Sequence, residues 1–257
     1  MMETVQLSSN KQIAQIHLNR PDRYNALDLK MLDELLQAVE QVEQSDDRIV
    51  LLTGAGNAFC AGGDIQMMAD FADQSFFDQV MDTIGAIVEK LYMMPKIVIS
   101  AVHGSAAGLG LSLALTADYV IAEEAARFGM LFLGVGLAPD GGGHFWLKER
   151  LGVQQSKQFI WSMEQVKGLE AKQMGLVDVC TDQPVKEAAN QLADRLLHSP
   201  LVSMLETKHI YHQQKLSELQ YFLESEKKAQ WNLRGTADHQ EGVRAFLAKR
   251  KPVFKGE

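Results

Sequence analysis

The chain has 257 residues, with 25 Lys and Arg against 33 Asp and Glu, a formal net charge of −8. With 46% hydrophobic and 23% charged residues it is an ordinary globular sequence, neither disordered nor fibrous, and its length suits an α/β domain with a small appendage. The acidic balance repels phosphate backbones at long range, which disfavours nucleic acid as a partner.

The elements read in chain order as follows. Thr4–Leu7 and Gln12–Leu18 have strand character, with the turn-prone Ser8-Ser9-Asn10 between them. From Asp28 to Gln44, Leu32, Leu35, Leu36, Val39 and Val42 recur at helical spacing, with Asp28 as the expected N-cap. Ile49–Leu52 is a continuous apolar run, the signature of a strand covered on both faces. A loop, GAGNAFCAGGDI (Gly54–Ile65), then leads into helical sequence through Tyr92, stopped by Pro95. Ile97–Val102 is a second buried strand, HGSAAGLG (His103–Gly110) a second glycine-rich loop opening an apolar helix to about Thr116, and Tyr119–Ala122 a further strand. This order argues for crossover units on one sheet, with right-handed connections. After Gly143 the strand signal fades, and from roughly Leu169 to Lys249 the sequence reads as helix, with long apolar faces at Leu216–Leu233 and Asp238–Lys249. A boundary is expected at residues 190–200, which divides the chain into an α/β core (1–195) and a helical C-terminal subdomain (196–257).

Cys60 and Cys180 are too few for a disulfide scaffold and are not spaced as a zinc site, which fits a reducing compartment. No other His, Cys and carboxylate spacing suggests a metal. The N-terminal stretch has no basic start followed by an apolar run, and the most apolar segment, Ala106–Ala117, is too short and glycine-rich to span a bilayer. A cytoplasmic protein with no membrane partner is expected.

Glycine-rich turns between a buried strand and a helix bring main-chain N–H groups close to a ligand, because no side chain blocks the approach. Gly62-Gly63-Asp64 and Gly108-Leu109-Gly110 are two such turns, each at an expected helix start. Neither is a dinucleotide fingerprint, there is no P-loop, and Ser105 is not placed centrally as a hydrolase nucleophile elbow requires. In isolation each loop reads slightly better as a tight turn without a ligand.

Four segments change that balance: NRPDRYNALD (Asn19–Asp28), GNAFCAGGDI (Gly56–Ile65), AVHGSAAGLGLSLALTADYVIA (Ala101–Ala122) and EGVRAFLAKRKPVF (Glu241–Phe254). In order and spacing they resemble the enoyl-CoA hydratase/isomerase, or crotonase, family. The resemblance implies an α/β crotonase-like (ClpP/crotonase) core of repeated ββα units with a C-terminal helical subdomain. It further implies an acyl-CoA substrate with no separate cofactor, coenzyme A being part of the substrate, and a homo-oligomer, a trimer or a dimer of trimers. Residue by residue it places the backbone N–H groups of Gly63 and Leu109 as a two-donor oxyanion hole for the thioester carbonyl. Arg23, Tyr24 and Ala26 fall on the nucleotide side, and Ala61, Asp64, Ile65, Ser112 and Phe132 along the substrate.

The same comparison marks a departure. The two glutamates with which hydratases of the family hold water correspond to Ser112 and Phe132, neither a carboxylate. Asp140, in LAPDGGG (Leu137–Gly143), lies where isomerases of the family carry a single carboxylate. Flanked by Leu137, Ala138 and Pro139, it is expected to be partly desolvated and hence a stronger base. The competing reading is a loop Asp that caps the helix starting near Gly142. Ser112 is expected to bond the carbonyl of the preceding turn, and Asp64 to be a favourable first-turn charge. His103 and His144 flank the glycine loops and are expected to be structural. The basic run Arg244, Lys249, Arg250, Lys251 and Lys255 reads either as a phosphate handle or as a solvated face with Val243, Phe246 and Leu247 packed inward. The acyl-pocket wall is expected between Met67 and Met94 and around Phe132.

The sequence therefore supports enoyl-CoA isomerisation first. The alternatives are hydration of a 2-enoyl-CoA in fatty-acid or aromatic-acid degradation and, in another class, a non-catalytic acyl-CoA- or RNA-binding relative.

Overall fold

A computed structural model describes residues 2–66 and 73–257. Strands β1 (Val5–Asn10) and β2 (Ile13–Leu18) form an antiparallel hairpin. From β2 the sheet continues in parallel through β3 (Ile49–Gly54), β4 (Ile97–Val102), β6 (Tyr119–Glu123) and β9 (Val179–Thr181), in the order β1-β2-β3-β4-β6-β9. A small second sheet joins β5 (Ser105–Ala107), β7 (Arg127–Gly129) and β8 (Val166–Lys167).

Every residue of β3 and β4 is buried, Thr53 and Ser100 included, as their largely apolar sequence predicts, and alternate side chains serve two different cores. Val50, Leu52, Val98 and Val102 belong to the larger core, shared with α1 (Leu29–Glu43) and α2 (Gln74–Met93). Ile49, Leu51, Ile97 and Ile99 face the other way, against α6 (Val185–Leu197). The Asp28 side chain accepts a hydrogen bond from Met31 N–H at 2.9 Å and so caps α1, as its position predicts.

The remaining helices are α3 (Leu109–Leu115), α4 (Gly143–Ser162, broken at Gly152), α5 (Gly168–Gln173), α7 (Leu201–Arg234) and α8 (Ala237–Leu247). Two expectations are corrected. Strands do not end at Gly143, because β8 and β9 follow it; they are two and three residues long, too short to leave a periodic signal. Helix α7 starts 15 residues before Leu216, and its first turns, with Leu201, Met204 and Leu205, pack beside α6 on the second core, on either side of the expected boundary after residue 195. No helix among the described residues is long and apolar enough to cross a membrane.

Candidate active site

The loops after β3 and β4 are joined main chain to main chain. Phe59 N–H donates to His103 O at 2.9 Å, Cys60 N–H to Ser105 O at 3.0 Å and Ala107 N–H to Cys60 O at 3.0 Å. Gly110 permits this closeness: a Cβ there would sit 2.4 Å from Cys60 O. A third segment locks onto the first, with Ala61 N–H donating to Tyr24 O and Asp64 N–H to Leu27 O. Fully buried Asn25 organises all of this. Its amide donates to the carbonyls of Ala55, Ala58 and Phe59, while its Oδ1 accepts Arg20 N–H. Cys60 is enclosed here with its thiol pushed up to about 12 by burial, so it is an inert packing group.

Two cavities meet at these loops. The outer one, of about 750 Å³, is lined by Arg23, Tyr24, Ala26, Ala61, Asp64, Ile65 and Phe132, together with Phe246, Leu247 and Lys249 from the C-terminal end of the chain. The inner one, of about 40 Å³, is lined by Asp140, by Phe77, Val80, Met81 and Ile84 of α2, and by Leu137, Gln230, Arg234 and His239. Gly63 and Leu109 line both. Among the described residues neither the Gly63 nor the Leu109 N–H donates a hydrogen bond within the protein. Two open donors thus lie where a large outer space meets a small, mostly apolar one that also holds Asp140.

Asp140 is the one carboxylate among the described residues lining the inner cavity. Burial pushes its carboxyl well above the ordinary value of 3.8, and the nearby Glu226 raises it further. Its Oδ2 accepts from Gln230 Nε2 at 3.1 Å, whereas Oδ1 is buried with no hydrogen-bond partner among the described residues. A carboxylate oxygen with no internal donor is available to a substrate proton.

Several expectations are revised by these contacts. Asp140 does not cap α4 with its side chain; Gly142 N–H and His144 N–H bond instead to the Glu226 carboxylate, which reaches in from α7. Ser112 lines neither cavity, and its hydroxyl donates to the backbone carbonyl of Asp140 at 2.7 Å rather than to the preceding turn. It anchors the Asp140 peptide to α3. Residues 61–66 are not helical, and Asp64 pairs with Arg20 at 3.3 Å instead of serving as a first-turn charge. Phe246 and Leu247 are 57% and 58% exposed, so the inward-packed reading of the basic run fails; α8 buries His239, Gly242 and Ala245. Lys249 faces the outer cavity, while Arg250 is held by Glu241. His103 bonds Gly56 O and His144 faces Glu226, both within the protein. Of the expected acyl wall, α2 supplies its part; residues 67–72 lie outside the described residues.

Four polar residues of the inner site have no counterpart in the sequence reading: Glu226, Gln230, Arg234 and His239. The first three are spaced by four on α7, so they lie along one face of the helix. His239 Nδ1 bonds Val135 O at 2.8 Å, and burial pushes its imidazole below the ordinary value, keeping it neutral at pH 7. Among the described residues no group of His, Cys, Asp and Glu is arranged to hold a metal.

The family model described as enoyl-CoA hydratase/isomerase matches residues 8–257. A putative enoyl-CoA hydratase/isomerase of Bacillus subtilis, YhaR, is 49% identical over 99% of this chain and 100% of its own length. The 1,2-epoxyphenylacetyl-CoA isomerase of Escherichia coli is 34% identical, with full coverage of both chains. The crystal structure of an enoyl-CoA hydratase from Mycobacterium avium subsp. paratuberculosis superimposes with a TM-score of 0.89 at 28% identity, covering 98% of each chain. The crotonase-like fold expected from the motifs is the fold of this chain. With matching sequence, matching fold and open main-chain donors at the junction of two cavities, the chain belongs to the enoyl-CoA hydratase/isomerase family, whose members act on CoA thioesters.

Proposed function

We propose that this protein is an enoyl-CoA isomerase that moves a double bond from C3–C4 to C2–C3 of an acyl-CoA, with Asp140 as the only acid/base. The observation that carries this reading is the placement of Asp140: one carboxylate, with one unpartnered oxygen, in the cavity it shares with Gly63 and Leu109. The thioester lies with its carbonyl oxygen on the Gly63 and Leu109 N–H groups and its CoA portion in the outer cavity, near Arg23 and Lys249. Asp140 Oδ1 takes a proton from C2, the electron pair moves onto the thioester oxygen as a dienolate, and the two N–H groups stabilise that charge. One such donor is worth about 3 kcal/mol of barrier. The protonated Asp140 then returns the hydrogen to C4, which restores the carbonyl and leaves the conjugated product. An elevated proton affinity suits both halves of the step, since the group must first accept and then release.

Ser112 and Phe132 favour this reading over hydration. Ser112 is committed to Asp140 O, and Phe132 offers nothing to activate water. Relatives carry both kinds of name, so the discriminating assay uses both substrates. Expected are rapid conversion of a 3-enoyl-CoA and exchange of its C2 hydrogen with deuterated water, both lost in Asp140→Asn. Fast hydration of a 2-enoyl-CoA that survives Asp140→Asn would sink the proposal. The protein is further read as a cytoplasmic homo-oligomer, a trimer or a dimer of trimers, which sedimentation equilibrium tests directly.

A further inference from the structure

The N-cap of helix α4 is Gly142, which has no side chain to cap it, and φ there is +77° with a would-be Cβ 2.8 Å from Trp146 Nε1. Gly143 N–H is met locally by Asp140 O at 3.0 Å, but Gly142 has no side chain to serve its neighbours, and the N–H groups of Gly142 and His144 take their partner from elsewhere. Glu226, 84 residues later on α7, provides it. Its Oε2 accepts Gly142 N–H at 2.7 Å, its Oε1 accepts His144 N–H at 3.0 Å, and the same Oε1 faces His144 Nδ1 at 2.7 Å. The side chain is only 2% exposed. Engaging donors on both oxygens requires a carboxylate, because an amide would turn its own NH₂ toward one of them. One turn further along α7, Gln230 donates to Ala138 O at 2.6 Å and to Asp140 Oδ2 at 3.1 Å. The loop that presents Asp140 is thus gripped at both ends by one face of α7, and the grip brings a second buried negative charge beside the base.

We propose that Glu226 is a positioning residue for the isomerisation: it fixes the 137–144 loop through Gly142 and His144, and its charge sets how readily Asp140 exchanges a proton with the substrate. The role in turnover rests on the isomerase reading above; the action on Asp140 does not. Glu226 is bound at Gly142, two residues from Asp140, and a negative charge there adds to burial in disfavouring ionisation of the Asp140 carboxyl. The other titratable or charged groups facing the pair, among the described residues, are His144 from α4, Arg234 from α7 itself and His239 from α8. Helix α2 contributes only apolar side chains to the cavity.

The test is a pH titration of the Asp140 carboxyl by carbon NMR in the full-length protein, assigned by its absence in Asp140→Asn and paired with the pH profile of kcat for a 3-enoyl-CoA. In Glu226→Gln the carboxyl titrates at lower pH than in the wild type, the acid limb of kcat moves down with it, and the plateau falls about tenfold with KM little changed. Glu226→Asp keeps the charge and therefore the wild-type titration, although it loses rate. A titration and limb unchanged in Glu226→Gln would reduce Glu226 to a structural cap and overturn the proposal. Should Glu226→Gln fail to fold, His144→Ala removes the ring facing Glu226 while leaving the charge and both backbone donors. The limb then moves to higher pH, and an unmoved limb is equally fatal. A wild type that neither isomerises nor exchanges C2 hydrogen defeats the isomerase reading alone, since the NMR titration still decides whether Glu226 acts on Asp140.

Discussion

The 54–66 and 103–110 loops offer a ligand main-chain N–H groups, and they are held together by main-chain hydrogen bonds and a glycine contact. The 137–144 loop offers a side chain, and it is held by Glu226 and Gln230 on a helix 82 to 92 residues away. In the first region chemistry depends on how closely two backbones approach, and most side chains are spectators. In the second it depends on what surrounds one carboxyl, so a residue that never touches substrate can change the reaction. The proposed oxyanion site, built of peptide, tolerates the leucine at 109; the proposed base, surrounded by burial and a neighbouring charge, tolerates much less.

The sharpest way to break this contrast is Asp140→Asn. It leaves the two donors intact and removes the base, so isomerase kcat falls by about 10³-fold, within the range of general acid–base catalysis, while KM changes little. Comparable loss of binding would mean that Asp140 serves the loops rather than the chemistry. Gly110→Ala attacks the other region: its Cβ meets Cys60 O at 2.4 Å and forces the loops apart. A drop of about 10²-fold in kcat is expected from a displaced oxyanion donor. Near-wild-type turnover would show that the approach of the two backbones does not matter. Lys249→Ala, at the rim of the outer cavity, raises KM about threefold at low salt and leaves kcat alone, because an exposed charge contributes less than about 1 kcal/mol. A KM insensitive to the substitution removes Lys249 from the CoA-binding surface.

The smallest effect is on stability. Because the folded-state affinity of Asp140 for a proton is raised, the native protein holds that proton at pH values where the unfolded chain has lost it. Stability from this group is full below the ordinary value of 3.8 and is lost as pH rises through the folded value. Asp140→Asn abolishes the loss. It melts above the wild type at mildly alkaline pH, by about 2–4 °C for each kcal/mol recovered, and the difference closes in acid. A variant that melts lower at every pH would show that the carboxylate is stabilising where it lies.

The sequence is legible where the physics is local. An unbroken apolar run at 49–52 and a run at 97–102 interrupted only by Ser100 announce strands buried on both faces, and the Asp28 cap follows from one side chain and the three residues after it. The motif resemblance carries Gly63, Leu109 and Asp140, because their spacing survives in order. Glu226, Gln230 and Arg234 escaped notice because polar residues spaced by four on a long helix look like a solvated face. The available clue was that they recur every four residues on a part of α7 that also carries Phe222, Leu223 and Leu233, which pack against the core, so that part of the helix is not a uniformly solvated surface. Phe246 and Leu247 misled in the opposite sense, since apolar residues near the end of a short helix read as packed when they in fact border a cavity.

By itself, then, the amino-acid order determined the parallel sheet and its two glycine loops, since periodicity, capping and close backbone approach act between neighbours in the chain, while the solitary candidate base was implied by the family resemblance of its motifs. Only the tertiary structure decided that this base is buried, that one of its oxygens is left without a donor and that a second carboxylate from α7 lies beside it. Desolvation and charge–charge coupling depend on which distant segments are brought within a few ångströms, and chain order carries no record of that distance.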